Sequence, residues 1–204
     1  MAVVLAAGAG QRFGSPKQLA PLHGRPLLQH PLDALAAAGL DDVVVVLGED
    51  APAIEAAIAW RAERRCRNPR PQDGLASSLR VGLDAAAEDA AADAVLVVLG
   101  DQPSIRPDVL RAVVDAAGTT DRPIVRPRYA ADGAPNPVLL RRDAWALAAG
   151  IAGDRGLGPL LAHRPDLVHE VPVVGTIPDV DTPADLVALE MEHGSGPARA
   201  EAAR

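Results

Sequence analysis

The sequence predicts a single-domain, three-layer α/β/α protein built on a mainly parallel sheet. Three observations carry this. The apolar runs AVVLA (2–6), DVVVVL (42–47) and AVLVVL (94–99) are continuous and rich in valine, the pattern of strands covered on both faces. Between them lie Ala- and Leu-rich stretches at helical spacing, so strands and helices alternate as right-handed crossovers of a parallel sheet require. The chain's 204 residues supply one full core, and no internal repeat or long linker divides them.

The helical stretches are 27–39, 54–63 and 75–90. Pro31 falls inside the first and predicts a kink or a late start, while Gly39 suits its end. A helix over 107–117 opens on Pro107, and RPIVRP (122–127) and PVLL (137–140) read as further strands around a polar loop at 129–136. RRDAWALAAG (141–150) reads as a helix closed by Gly150, and GDRGLGPLLAHRP (153–165) as a glycine-rich loop opening a short helix. LVHEVPV (167–173) reads as a strand, followed by a helix that starts at Thr182 and Pro183 with Asp185 in its first turn. The domain is expected over 1–193, with 194–204 a frayed, disordered tail.

Composition excludes several classes. A net charge of −7, a pI near 5.2 and only 2% aromatic residues leave neither a basic stripe nor a stacking platform for nucleic acid. The single cysteine, Cys66, makes no internal disulfide and no CxxC zinc site, and reads as a small buried residue of a strand. No signal sequence or membrane-length apolar segment stands out, so a cytoplasmic protein is expected. His23, His30, His163, His169 and His193 show no ligand spacing. Trp60 and Trp145 read as packing residues at helical positions, and Glu88, Asp89 and Asp93 as a solvated face.

The chemistry starts after the first strand. GAGQRFG (8–14) places three glycines in a turn that leads into Arg12, Pro16 and Lys17. A strand, a bare turn and a helix present backbone N–H groups to an anion. Gly8, Gly10 and Gly14 permit the close approach, while Arg12 and Lys17 can converge on one polyphosphate. The spacing is one residue too long for the GxGxxG dinucleotide fingerprint, and Lys17 lacks the Gly before it and the Ser or Thr after it that a P-loop needs. An ordinary βα turn with solvated charges is the alternative.

LAAGAGQRFGSPK (5–17) resembles the LAAGxGxRMGxxK signature of the MobA-like nucleotidyltransferases. The resemblance continues in order through 24–48, DGLASSLRVGL (73–83), LGDQPSI (99–105), GAPNPVLLRR (133–142), GDRGLGPLL (153–161) and DVDTPADL (179–186). It implies the Rossmann-like fold of the nucleotide-diphospho-sugar transferases and transfer of a nucleoside monophosphate from a triphosphate, with release of pyrophosphate. A phosphate nucleophile needs no strong base, so alignment and charge neutralisation would carry catalysis.

On this reading Arg12, Lys17 and Asp101 are the catalytic residues, and Asp101 and Asp181 hold Mg²⁺. A simple turn or helix cap is the alternative for each acid. Leu5, Ala6, Ala7, Gly8, Gly10, Arg12, Lys17, Ser77, Ser78 and Gly100 would bind the nucleotide, with Ser77 and Ser78 otherwise capping a helix. LAAG rather than LAGG resembles the cytidylyl branch, so CTP is expected. Asn136 and Asp154 would contact a phosphorylated acceptor such as molybdopterin, with Arg155 beside them in what is otherwise an exposed loop. This side departs from the family pattern: Asn136 stands where a histidine is common, and Leu157 and Gly158 where an Ala-Arg pair is expected. The resemblance further implies a molybdoenzyme or its chaperone as partner, a monomer or weak homo-oligomer, and no membrane or nucleic-acid partner. A nicotinamide-dependent oxidoreductase of the same architecture is the rival reading.

Overall fold

In a computed structural model, which describes residues 1–8, 10, 13–130, 136–154 and 156–194, seven strands form one sheet. Strand β1 (Ala2–Ala6) lies between β4 (Val43–Leu47) and β6 (Ala94–Leu99) and is parallel to both. β5 (Arg64–Arg67) extends the β4 side in parallel. Beyond β6, β8 (Val138–Arg141) runs antiparallel, and β7 (Ile124–Tyr129) and β9 (Val168–Val173) follow it. A two-stranded hairpin, β2 (Pro21–Leu22) and β3 (Arg25–Pro26), stands apart.

Alternate residues of each buried strand serve opposite layers, as the period of two requires. Val4, Val45 and Val98 face the layer of α1 (Gln29–Ala37), α2 (Ala51–Ala57) and α4 (Pro107–Ala117). Val3, Val44 and Val97 face α3 (Leu75–Ala87), α5 (Trp145–Ala149) and α6 (Gly158–His163). Gly82 lets α3 approach closely, because a β-carbon there would run into Val3. A third, small cluster of Leu22, Leu27, Val180 and Leu189 seats α7 (Pro183–Gly194) against the hairpin.

The late start expected from Pro31 is found, since α1 begins at Gln29 and Pro31 lies in its first turn, where no intrahelical N–H bond is lost. Several other expectations need correction. α2 begins earlier and ends sooner than 54–63, because Pro52 fits its first turn and Ile58 is already extended. Trp60 therefore lies outside any helix, with Arg65 stacked 5.2 Å from its ring. Cys66 sits in β5 but is only half-buried, and burial pushes its thiol pKa up. Neither Ser77 nor Ser78 caps α3; that position belongs to Gly74. α7 runs through Gly194, and 195–204 lie outside the described residues. Among the described residues no helix is long and apolar enough to cross a membrane.

Candidate active site

The carboxyl ends of β1, β4 and β6 meet at one edge of the sheet, the edge where open α/β sheets bind ligands. β1 leads there into Ala7 and Gly8, β4 into Gly48 and Glu49, and β6 into Gly100 and Asp101. A cleft of about 720 Å³ lies over these ends. Two glycines shape it. A β-carbon at Gly48 would run into the Ala7 carbonyl, so the β1 and β4 extensions touch only because Gly48 has none. Gly10 has φ +54°, and a β-carbon there would lie 2.7 Å from the backbone nitrogen of Lys17. That approach brings Lys17 back beside the strand ends.

Lys17 is the hub of the site. Its ammonium donates to Asp101 Oδ2 at 2.8 Å and to Asp181 Oδ1 at 3.0 Å. Burial of the ammonium works against its charge, but Asp101 and then Asp181 outweigh it and hold the Lys17 pKa above the ordinary lysine value. The segment carrying Asp181 is pinned beside Asp101, because the Val180 N–H donates to the Asp101 carbonyl at 3.0 Å. The start of α7 is fixed by a reciprocal cap: Asp185 accepts from the N–H groups of Asp181 and Thr182, and Thr182 accepts from that of Asp185. Fully buried Gln102 donates through Nε2 to Asp179 Oδ1 at 2.6 Å. Burial, then repulsion from Asp101 and Asp181, raises the Asp179 pKa despite that hydrogen bond.

The predicted residues Leu5, Ala6, Ala7, Gly8, Gly10, Lys17, Ser78, Gly100, Asp101, Asp154 and Asp181 all line the cleft. Arg12 and Arg155 lie outside the described residues. Ser77 does not line the cleft; its hydroxyl donates toward the Gly74 carbonyl at 2.7 Å and accepts from Asn68. Asn136 lines a smaller apolar cavity of about 110 Å³ instead, with Leu5, Leu75, Leu79, Val97, Leu99 and Leu157. Leu5, Leu75 and Leu99 border both spaces, so the cavity opens beside the cleft. Asp154 is held at the start of α3, where a β-carbon on Gly74 would strike its Oδ1.

Sequence reasoning missed two glutamines. Buried Gln18 donates through Nε2 to the carbonyls of Ala6 and Gly8, both at 2.8 Å, and so ties down the glycine turn. Gln102 supports the acid cluster in the same way. Neither carries a signal in the sequence beyond its place next to Lys17 or Asp101. Asn68, which donates to Ser77 and Ser78, was equally silent.

Among the described residues no group of three or more His, Cys, Asp or Glu side chains is placed to hold a metal ion. Asp101 and Asp181 nevertheless fit a divalent ion that keeps phosphate oxygens and waters as its other ligands. The ammonium of Lys17, bonded to both, is a stand-in cation between them.

A mostly parallel sheet whose strand ends gather a glycine turn, a lysine and two carboxylates is the architecture of an α/β nucleotide-binding protein. The chain belongs to the family of the MobA-like NTP transferase domain, whose model matches residues 2–169. The solved structure of Rv0371c from Mycobacterium tuberculosis H37Rv superposes with a TM-score of 0.82 at 35% identity, over 94% of this chain and 96% of that one. Its complex with manganese gives a TM-score of 0.78 at 33% identity, over 94% of this chain and 97% of that one. The nicotine blue oxidoreductase of Paenarthrobacter nicotinovorans is 33% identical over 92% of this chain and 94% of its own length. The bifunctional protein GlmU of Bordetella petrii is 36% identical over 57% of this chain, which spans only 26% of that protein.

Proposed function

We propose that the protein is a divalent-metal-dependent cytidylyltransferase that moves CMP from CTP to a phosphorylated small molecule, a pterin phosphate of the molybdopterin kind, with Mg²⁺ as the ion. The observation that carries the transfer chemistry is the Lys17–Asp101–Asp181 cluster at the end of the glycine turn. An anion-binding turn and an ion-binding carboxylate pair in one cleft match a triphosphate and its metal.

Lys17, with Arg12 close to it in the sequence, would take up the charge that grows on the leaving pyrophosphate. Asp101 and Asp181 would hold the ion, which when bound neutralises the phosphate oxygens. Ala7, Ser78 and the segment around Gly74 form the base side. Ala7 is buried on the α3 face of the sheet, where its methyl leaves less room for a purine than glycine would. The leucine-lined cavity with Asn136 is the acceptor's seat: an apolar floor takes the face of a flat ring, and one amide reads its edge.

Thermal shift with each of the four NTPs, with and without Mg²⁺, tests the assignment. CTP with Mg²⁺ should stabilise most, and equal shifts with GTP would remove the base assignment. Pyrophosphate release that needs both CTP and a pterin phosphate would establish the reaction.

A second reading is sustained by the full-length likeness to a nicotine blue oxidoreductase and by Glu49. Glu49 follows β4 and lines the cleft, the place from which a dinucleotide's ribose is held. Hydride transfer gives the Lys17 cluster no role. Oxidation of NADH or NADPH by the protein with a redox acceptor, and no pyrophosphate from any NTP, would decide for it.

A further inference from the structure

We propose that Lys17 is the resident cation of the position between Asp101 and Asp181, and that a divalent ion enters that position only by displacing it. The inference rests on the transferase reading and concerns how the chain loads its site.

One ammonium joins two carboxylates that lie 84 and 164 residues further along the chain. The same oxygens, Asp101 Oδ2 and Asp181 Oδ1, face each other across it. An ion bound by both would put two positive charges against a third within contact distance, so ion and ammonium exclude each other there. Exposure sets the direction of the exchange. The side chain of Asp181 is 58% exposed and that of Asp101 28%, but that of Lys17 only 12%. The acids can thus be paired anew from solvent. The freed ammonium stays enclosed and needs another anion. The backbone of Lys17 cannot carry it away, because the turn Lys17–Leu19 and the close approach of Gly10 fix its root. Only the flexible stem moves, and the anion-binding turn begins beside it. Metal alone therefore strands a buried charge, whereas metal arriving with a triphosphate does not.

Mn²⁺ alone, titrated without nucleotide and followed by the free-ion EPR signal, tests this. Lys17→Met should bind Mn²⁺ about ten- to a hundredfold more tightly than wild type, the strength of a charged hydrogen-bonded competitor. Lys17→Arg keeps the charge and should show no such gain. Adding Asp101→Asn to Lys17→Met should abolish the gain. Unchanged or weaker Mn²⁺ binding by Lys17→Met with a wild-type circular dichroism spectrum would overturn the proposal. So would a gain that survives Asp101→Asn. Should Lys17→Met fail to fold, Lys17→Gln makes the same test. Absence of pyrophosphate release with every NTP would remove the transferase reading and leave the Mn²⁺ titration as it stands.

Discussion

Over the ends of β1, β4 and β6 the cleft is made of tethered backbone and charge. Gln18 clamps two carbonyls of the glycine turn, Gly48 lets the neighbouring loop close on Ala7, and Lys17 locks two acids together. The smaller cavity that opens beside it, toward β8, is made of leucine and valine, with Asn136 as the polar side chain of the described lining. On the transferase reading the first side holds the triphosphate, whatever the base or the acceptor. The second is built by shape, and shape is where one member of a family departs from another. The two departures noted in the sequence, Asn136 and Leu157, both line the apolar cavity.

The largest effect should come from the charged side. Asp101→Asn keeps the shape and removes the charge that Lys17 and a metal share. Transfer should fall on the order of 10²–10³-fold, read as pyrophosphate release, with the melting temperature little changed. A loss of fold instead would make Asp101 structural. Gly48→Ala should act next. The new methyl meets backbone rather than a mobile side chain, so the glycine turn must shift and the KM for nucleotide should rise about tenfold. An acceptor KM that rises equally would erase the distinction between the two sides.

The apolar side should answer in the opposite sense. Leu157→Ala enlarges the cavity without touching the charged cluster. Acceptor KM should rise about tenfold, as missing apolar contact does, while the thermal shift produced by CTP with Mg²⁺ stays as in wild type. A weaker nucleotide shift would show that the cavity serves the base instead.

The same division governs what could be read from the sequence. The strands over 2–6 and 94–99 were legible because burial on both faces writes an unbroken apolar run, and the Pro107 helix because its cap and its period agree. β5 was legible only at Cys66, because RRCR is an edge strand whose arginine side chains face solvent. Lys17, Asp101 and Asp181 were legible as separate residue types in suggestive loops. That Asp101 and Asp181 share an ion was implied by the resemblance alone. The Lys17 bridge between them was not legible, since it depends on the Val180–Asp101 backbone bond that ties the chain's last third to its middle. Gln18, Gln102 and Asn68 left no trace because their work is to hold backbone and acids in place, and any position in a loop can do that.

The smallest effect distinguishes a carboxylate that works from one that merely sits nearby. Asp179 is partly desolvated, although its surface is still exposed, and is crowded by Asp101 and Asp181, so its folded-state pKa lies above the ordinary value of 3.8. A carboxyl raised in the folded state binds its proton more tightly there than in the unfolded chain. Stability is therefore higher when the group is protonated and falls as pH rises through the folded-state value. Asp179→Asn keeps a group that can accept from Gln102 and removes the charge. Its melting temperature should exceed that of wild type by a few degrees at pH 7, roughly what 1 kcal/mol or less gives in a domain of this size once the group's partial exposure is discounted. The advantage should shrink as pH is lowered toward 4, where Asp179 itself takes up its proton. A constant or negative difference across that range would mean that Asp179 is wanted as an anion, and would bring it into the ion-holding pair beside Asp101 and Asp181.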